Sequence, residues 1–347
     1  MADLDQIISK GGIPRSGLSI NINGTLTRAP NLRHLPNGIA ACDFGIASQD
    51  PKWDPHPYIL MQGITWEPLL CKAYGQTAEI ISNYYRKGNQ IEITGLGWAQ
   101  EQTRPVPQVT LPDAPKVILE KLIVYVQEIT LSEIRQICYE RDIKTLCHFT
   151  SIERLRSILH RGILSRSFLD TLPKKVRPQF TDQDRDDGYR DASCLSIGFP
   201  NYRMFFSKTG RVNQHQWVVL LLDARILWEK DCAFCHQNAR FEPVKNVPLE
   251  QRKRLVSLER IFQDWDFHAT GLKYQRQQIP DNYPTHPEAE ILVFDSIPAE
   301  YINEVHFYDD DALQKWQKNN SSTYSQKFYA NRQYFKPRCD YKAWQNR

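Results

Sequence analysis

The sequence predicts two domains, an all-β barrel followed by an α+β domain, from three observations. Between residues 18 and 130, apolar and polar residues alternate with period two in segments broken by turn residues. At Leu131 this pattern gives way to helical spacing mixed with short apolar runs. The length, 347 residues, exceeds what one hydrophobic core usually serves. The boundaries that follow are 14–130 for the barrel, 131–318 for the second domain and 319–347 for a C-terminal extension read either as a loose basic tail or as a solvated end.

In the barrel, the segment from Leu18 to Leu26 alternates and reads as the first strand. Asn31 to Gly38 ends in Asn-Gly, a hairpin signal, and Ala40 to Ala47 is its partner. A loop with Asp50-Pro51-Lys52-Trp53-Asp54-Pro55 precedes a strand from Tyr58 to Trp66. Thr77 to Tyr85 suits a short helix that stops before Gly88. Gln90 to Gly95 and Leu119 to Val126 supply the last strands. Strands, one short helix and more strands within ~110 residues fit a small Greek-key barrel of the OB type.

In the second domain, Leu131 to Glu140 has helical spacing with Ser132 as a cap. Leu146 to Thr150 reads as a strand, and Ser151 as the N-cap of a helix from Ile152 to Leu159 that stops at Gly162. Further strands are expected at Ala192 to Ile197, Trp217 to Leu222 and Ile291 to Phe294. Neither a Gly-x-Gly-x-x-Gly nor a phosphate loop is present, so a Rossmann or nucleotide-hydrolase reading has no support.

The composition, 24% charged and 41% apolar, is globular, and the net charge of +4 permits nucleic acid as a partner without demanding it. No apolar run nears the ~18 residues that span a bilayer, and no secretory signal opens the chain, so a cytoplasmic protein without a membrane partner is expected. The eight cysteines form no dense framework and read as buried thiols. Cys232-Ala233-Phe234-Cys235-His236 resembles a zinc half-site, but a second close pair is missing, and no metal is expected.

The most informative segment is Glu288-Ala289-Glu290-Ile291-Leu292-Val293. Its apolar end reads as a buried strand, and in an extended chain residues two apart share a face, so both carboxylates reach one cleft. A carboxylate at the mouth of an apolar strand requires a partner, such as a ligand that develops positive charge. An ordinary strand end with two solvated acids fits the segment equally well.

The run from Asn23 to Arg33, followed by Asn37-Gly38, resembles the opening of bacterial single-stranded DNA-binding proteins, and Ala73 to Ile91 resembles the same family's helix and following strand. The resemblance implies a barrel that stacks bases on aromatics in a basic groove. Trp53, Tyr58, Trp66, Tyr74 and Trp98 are the candidate stacking platforms, any of which the core would equally use. Arg28, Arg33, Lys52 and Lys72 are the candidate phosphate contacts.

His148 to Leu164, Cys194 to Phe205 and Pro287 to Phe294 resemble, in that order, segments of the DarT family, toxins that transfer ADP-ribose from NAD to bases of single-stranded DNA. The resemblance implies an ADP-ribosyltransferase-like domain with NAD as co-substrate. It assigns Glu290 as the catalytic glutamate, a carboxylate that steadies positive charge on the ribose, and His148 with Thr150 to the ribose of NAD. It places an arginine for the cofactor phosphates or the acceptor at Arg185, with Arg190 the alternative. Glu288 falls where the acceptor is oriented, and Arg203 is a further candidate for DNA or phosphate, a solvated charge being the other reading. Two positions depart from the family: Arg154 stands where Asn is frequent, and Glu288 where Gln is usual. An ionised Glu accepts hydrogen bonds only, whereas Gln also donates, so the acceptor base, or the atom attacked, is open.

The expected function is a toxin or phage-defence enzyme acting on single-stranded DNA, with a macrodomain hydrolase as the antidote that the resemblance implies. RNA as acceptor, transfer to protein side chains, and a non-catalytic single-strand-binding scaffold are the alternatives.

Overall fold

The computed structural model describes residues 18–47, 52–53, 69–101, 119–173, 187–209, 213–267, 272–276, 279–320 and 324–344. The chain divides after Ser132 into two compact units.

The first unit is built from β1 (Leu18–Leu26), β2 (Asn31–His34), β3 (Ala40–Ala47), the short β4 (Lys52–Trp53), β5 (Leu69–Tyr74), α1 (Gly75–Tyr84), β6 (Gln90–Glu101) and β7 (Leu119–Thr130). The sheet runs β2-β3-β5-β7-β6-β1-β4 and closes on itself where β1 meets β3 at Thr25↔Ala47 and Leu26↔Ile46. Five strands, β1, β3, β5, β7 and β6, thus form a closed barrel of the OB type, with α1 between the third and fourth of them in sequence. Closure depends on Gly24, because a Cβ there would lie 2.4 Å from the Ala47 carbonyl oxygen. Inward residues such as Ile22, Phe44, Cys71, Ile93 and Val124 alternate along their strands and are buried. The hairpin tip carries Gly38 at φ +81, as the Asn-Gly signal implied.

The second unit contains α2 (Glu133–Glu140), β8 (Thr145–Ser151), α3 (Ile152–Arg161), α4 (Arg166–Thr171), β9 (Ala192–Ile197), α5 (Tyr202–Thr209), β10 (Trp217–Asp223), α6 (Ile226–Glu229) and β11 (Cys232–Cys235). It continues with α7 (Glu242–Lys245), α8 (Leu249–Arg252), α9 (Leu255–Arg260), β12 (Trp265–Phe267), β13 (Leu272–Tyr274), β14 (Glu290–Phe294), β15 (Ile302–Phe307), α10 (Asp310–Lys318) and β16 (Lys327–Ala330). The main sheet has the order β11-β14-β9-β8-β10-β15-β16, antiparallel except for the parallel pair β15–β16. The result is the expected α+β architecture.

Several expectations need correction. Ser151 stands at the N-cap of α3, but its side chain makes no cap hydrogen bond. Trp53, read as part of a loop, lies in a short strand paired with β1 at Ile20. The strand expected from Tyr58 to Trp66 lies outside the described residues. The C-terminal segment is neither a loose tail nor a solvated end: β16 adds a strand to the main sheet, and Phe335, Arg338 and Trp344 are buried. Among the described residues, no helix is long and apolar enough to cross a membrane.

Candidate active site and single-strand groove

Glu290 is the first residue of β14, opposite Cys235 at the end of β11. It is 6% exposed, and two donors meet its carboxylate. The Asn238 side-chain Nδ2 donates to Oε1 at 3.1 Å and the Ala239 backbone N–H to Oε2 at 3.1 Å. Arg240 N–H in turn donates to Asn238 Oδ1 at 3.1 Å, which fixes the amide's orientation. Both oxygens serve as acceptors, the pattern of an ionised carboxylate. Extending the β9–β14 register by one residue brings Ser196 alongside Glu290.

Glu288 does not share this environment. It sits in a turn closed by the Ala289 N–H to the His286 carbonyl, so the extended-chain premise for the two acids fails there. Its backbone N–H donates to His286 Nδ1 at 3.1 Å, and its carboxylate pairs with Arg203 Nε at 3.6 Å. Arg203, for which a free surface charge was one reading, also donates to the Trp344 carbonyl at 3.2 Å.

His148 lies on β8, where that strand parts from β9. The two pair at Leu146↔Ile197 and Cys147↔Ser196, and beyond His148 the ladder is not continued. Its Nδ1 meets the Cys194 carbonyl at 3.1 Å. A carbonyl only accepts, so Nδ1 carries the proton, and burial lowers the pKa so that the ring stays neutral. Nε2 is left as an acceptor, the role that a ribose hydroxyl requires. Thr150, two residues on, is buried. Strand alternation sets Glu290 on the face of Cys194, Ser196 and Cys147, and His148 on the face of Leu195 and Ile197. The structure therefore brings these two residues to neighbouring parts of one sheet and not into contact.

Arg190 is tied to Asp170 by a short ion pair at the end of α4, and Arg185 lies outside the described residues. The pseudo-zinc segment is strand β11. Cys232 and Cys235 are buried, and burial pushes both thiols up to about 12, Asp231 adding for Cys232 and Glu290 for Cys235. Among the described residues, no cluster of three or more ligand-type side chains is placed to hold a metal.

Sequence reasoning missed Asn238, Ala239 and Ser196. A polar residue just after the apolar Cys232–Cys235 run signals a turn, but its partner is set by the β11–β14 pairing, which no local pattern reveals.

In the barrel, Arg28, Thr27, Asn31, Asp43, Leu70 and Lys72 line a groove of about 500 Å³. Arg33 donates to Asp43 from Nη2 at 3.2 Å and from Nε at 3.3 Å, and Lys72 lies 3.9 Å from the same carboxylate. Two cations thus flank Asp43 and Arg28 lines the same groove, a basic lining of the kind a phosphate backbone requires. Tyr74 lies on the face of β5 that it shares with Lys72, and there it is 8% exposed, packed with Leu35 and Ala41 and against Tyr125 at 5.5 Å. Tyr58 and Trp66 lie outside the described residues, as do the side chains of Lys52, Trp53 and Trp98.

Fold and site together define a two-domain protein, an OB-type barrel followed by an ADP-ribosyltransferase-like domain. The chain belongs to the DarT family: the family model described as ssDNA thymidine ADP-ribosyltransferase, DarT, matches residues 147–336, more than half of its length. The model of the single-strand binding protein family matches residues 19–103. The chain is 34% identical over 73 residues to a single-stranded DNA-binding protein of Oceanobacillus iheyensis, covering 21% of this chain and 42% of that one. It is 36% identical over 74 residues to one of Fusobacterium nucleatum, covering 21% and 46%. The chain thus spans less than half the length of these curated relatives. Among solved structures, Thermus sp. 2.9 DarT in complex with carba-NAD+ aligns with a TM-score of 0.37 at 16% identity, covering 56% of this chain and 99% of that one. Thermosipho africanus DarTG in complex with ADP-ribose aligns with a TM-score of 0.36 at 13% identity, covering 55% and 51%.

Proposed function

We propose that this chain transfers ADP-ribose from NAD to a base of single-stranded DNA, as a toxin or phage-defence enzyme. The observation that carries the reading is Glu290, a buried carboxylate fixed by two N–H donors within the segment that matches the DarT family.

The chemistry follows from that carboxylate. Breaking the bond between ribose C1′ and the nicotinamide nitrogen sends the bonding pair out with neutral nicotinamide and leaves positive charge on the ribose ring. Glu290, accepting from the ribose 2′-hydroxyl, stabilises that charge, and its fixed donors keep it from reorienting during the step. His148 accepts from a ribose hydroxyl of NAD through Nε2, with Thr150 beside it. A base nitrogen attacks C1′ and releases its proton to solvent. Glu288, held by Arg203, orients the acceptor. Arg185 contacts the cofactor phosphates, and Arg190 is better placed to brace α4 through Asp170.

The barrel supplies the strand. Its groove carries Arg28 and Lys72, with Arg33 paired to the groove's Asp43, and single strands present unstacked bases at little cost. A macrodomain hydrolase that removes the modification is the partner this function implies.

The test is nicotinamide release from NAD with and without single-stranded oligonucleotide, using labelled NAD. DNA-stimulated release, with label on the oligonucleotide, is expected. Label on added RNA or protein instead, or no release, contradicts the reading.

A further inference from the structure

The turn that leads into Glu290 is held from behind by the C-terminal segment, most of it past the last residue, 336, of the matched family region. Arg338 is 2% exposed. Its Nη1 donates to the Pro284 carbonyl at 2.7 Å and its Nη2 to the Thr285 carbonyl at 2.9 Å. Its other edge forms a two-point pair with Asp340, 2.6 Å from Nε to Oδ1 and 2.6 Å from Nη2 to Oδ2. Asp340 is itself fixed by Trp344 Nε1 at 2.8 Å and Tyr274 OH at 2.9 Å. Burial alone would raise the pKa of this carboxyl, but the hydrogen bonds and charge of Arg338 outweigh it, and the group stays ionised.

Two further contacts continue the grip along the same turn. The His286 ring packs against both Trp265 and Trp344, 4.7 and 4.6 Å from their ring centroids, and its Nδ1 receives the Glu288 N–H. Arg203 joins the Trp344 carbonyl to the Glu288 carboxylate. Thr285, His286 and Glu288 are thus each bound to a group that the segment Arg338–Trp344 presents or fixes. A fork that spans two successive carbonyls has the geometry of a guanidinium and not of an ammonium.

We propose that Arg338 is a positioning residue for transfer: by pinning the Pro284 and Thr285 carbonyls it sets the placement of Glu288 and Glu290. The inference rests on the reading of this domain as an ADP-ribosyltransferase. Small misplacements of reacting groups lower turnover steeply, while the other NAD contacts proposed above, His148 and Thr150, lie on β8.

The test is steady-state transfer to a single-stranded oligonucleotide by the full chain, with thermal melting alongside. Arg338→Lys keeps the charge beside Asp340 but cannot span both carbonyls. It is expected to lower kcat about 10- to 100-fold with KM for NAD changed less than about twofold. If Arg338→Lys does not melt cooperatively, Trp344→Phe carries the test: it keeps an aromatic ring, though a smaller one, removes one donor from Asp340, and is expected to lower kcat severalfold at constant KM. A folded variant with wild-type kcat, or one whose loss lies wholly in KM for NAD, overturns the proposal. Wild-type protein that consumes no NAD overturns the transferase reading together with it, a result distinguishable from active wild type with unaffected variants.

Discussion

A carboxylate taken out of water must find donors, and Glu290 finds Asn238 and Ala239. That arrangement predicts how Glu290→Gln behaves. One side-chain oxygen becomes an NH₂ that faces an existing donor, so stability falls by about 1–3 kcal/mol, while the fold persists and transfer is lost. Urea unfolding and oligonucleotide labelling measure the two effects separately. Histidines set the pH behaviour at the same scale. Burial lowers the pKa of His148, of His236 (to about 4) and of His286, the last also facing Arg203, Arg338 and His236. A histidine whose folded value is depressed contributes stability that is present above its unfolded value of about 6.5 and lost as pH falls below it. Melting at pH 7.5 and pH 5.0 is expected to give a lower midpoint at pH 5.0, and equal midpoints would contradict the neutral assignments. Glu290 drew notice at the edge of an apolar run, and His148 only through the family segment that it opens. Their partners were not legible, because Asn238 and Cys194 come near them only through strand pairings between distant segments.

Glycines mark what was and was not visible at the level of elements. Gly162 reads as the stop of α3, and it adopts φ +82 there. What the local pattern does not show is that a Cβ at this position would lie 2.1 Å from the Ile297 carbonyl oxygen, where Ile163 bridges to Ile297. Gly162→Ala therefore combines a strained backbone with a steric clash, and a loss of about 2–4 kcal/mol is expected in urea unfolding. The same limit explains the C-terminal segment. Lys327 to Ala330 has no strong strand pattern, and it becomes β16 only because β15 offers an edge in parallel register. Cys232 to Cys235, considered first for metal, is a strand for the reason its apolar residues imply: every side chain in it is buried against β14 and α9 neighbours. The alternating β1 was read to the residue, since it carries its own periodic signal, whereas β6 and β7 run six and four residues beyond the segments expected for them.

For the whole molecule, joining a strand-binding barrel to a strand-modifying domain raises the effective concentration of substrate to about the millimolar range for a short linker. On the proposed function, the barrel governs capture and the second domain turnover. Replacing Arg28 and Lys72 together by Ala is expected to weaken oligonucleotide affinity. Each lost phosphate contact should reduce the slope of log affinity against log salt by about 0.7, with kcat at saturating DNA unchanged. Fluorescence anisotropy across a salt series checks the slope, and an unchanged slope would place the strand elsewhere. The most direct test of the central claim is the intact mass of a single-stranded oligonucleotide after incubation with NAD and either wild-type or Glu290→Gln protein. The account predicts one or more ADP-ribose additions with the wild type and none with the variant. An unmodified oligonucleotide with wild type, or equal modification by both proteins, would contradict it.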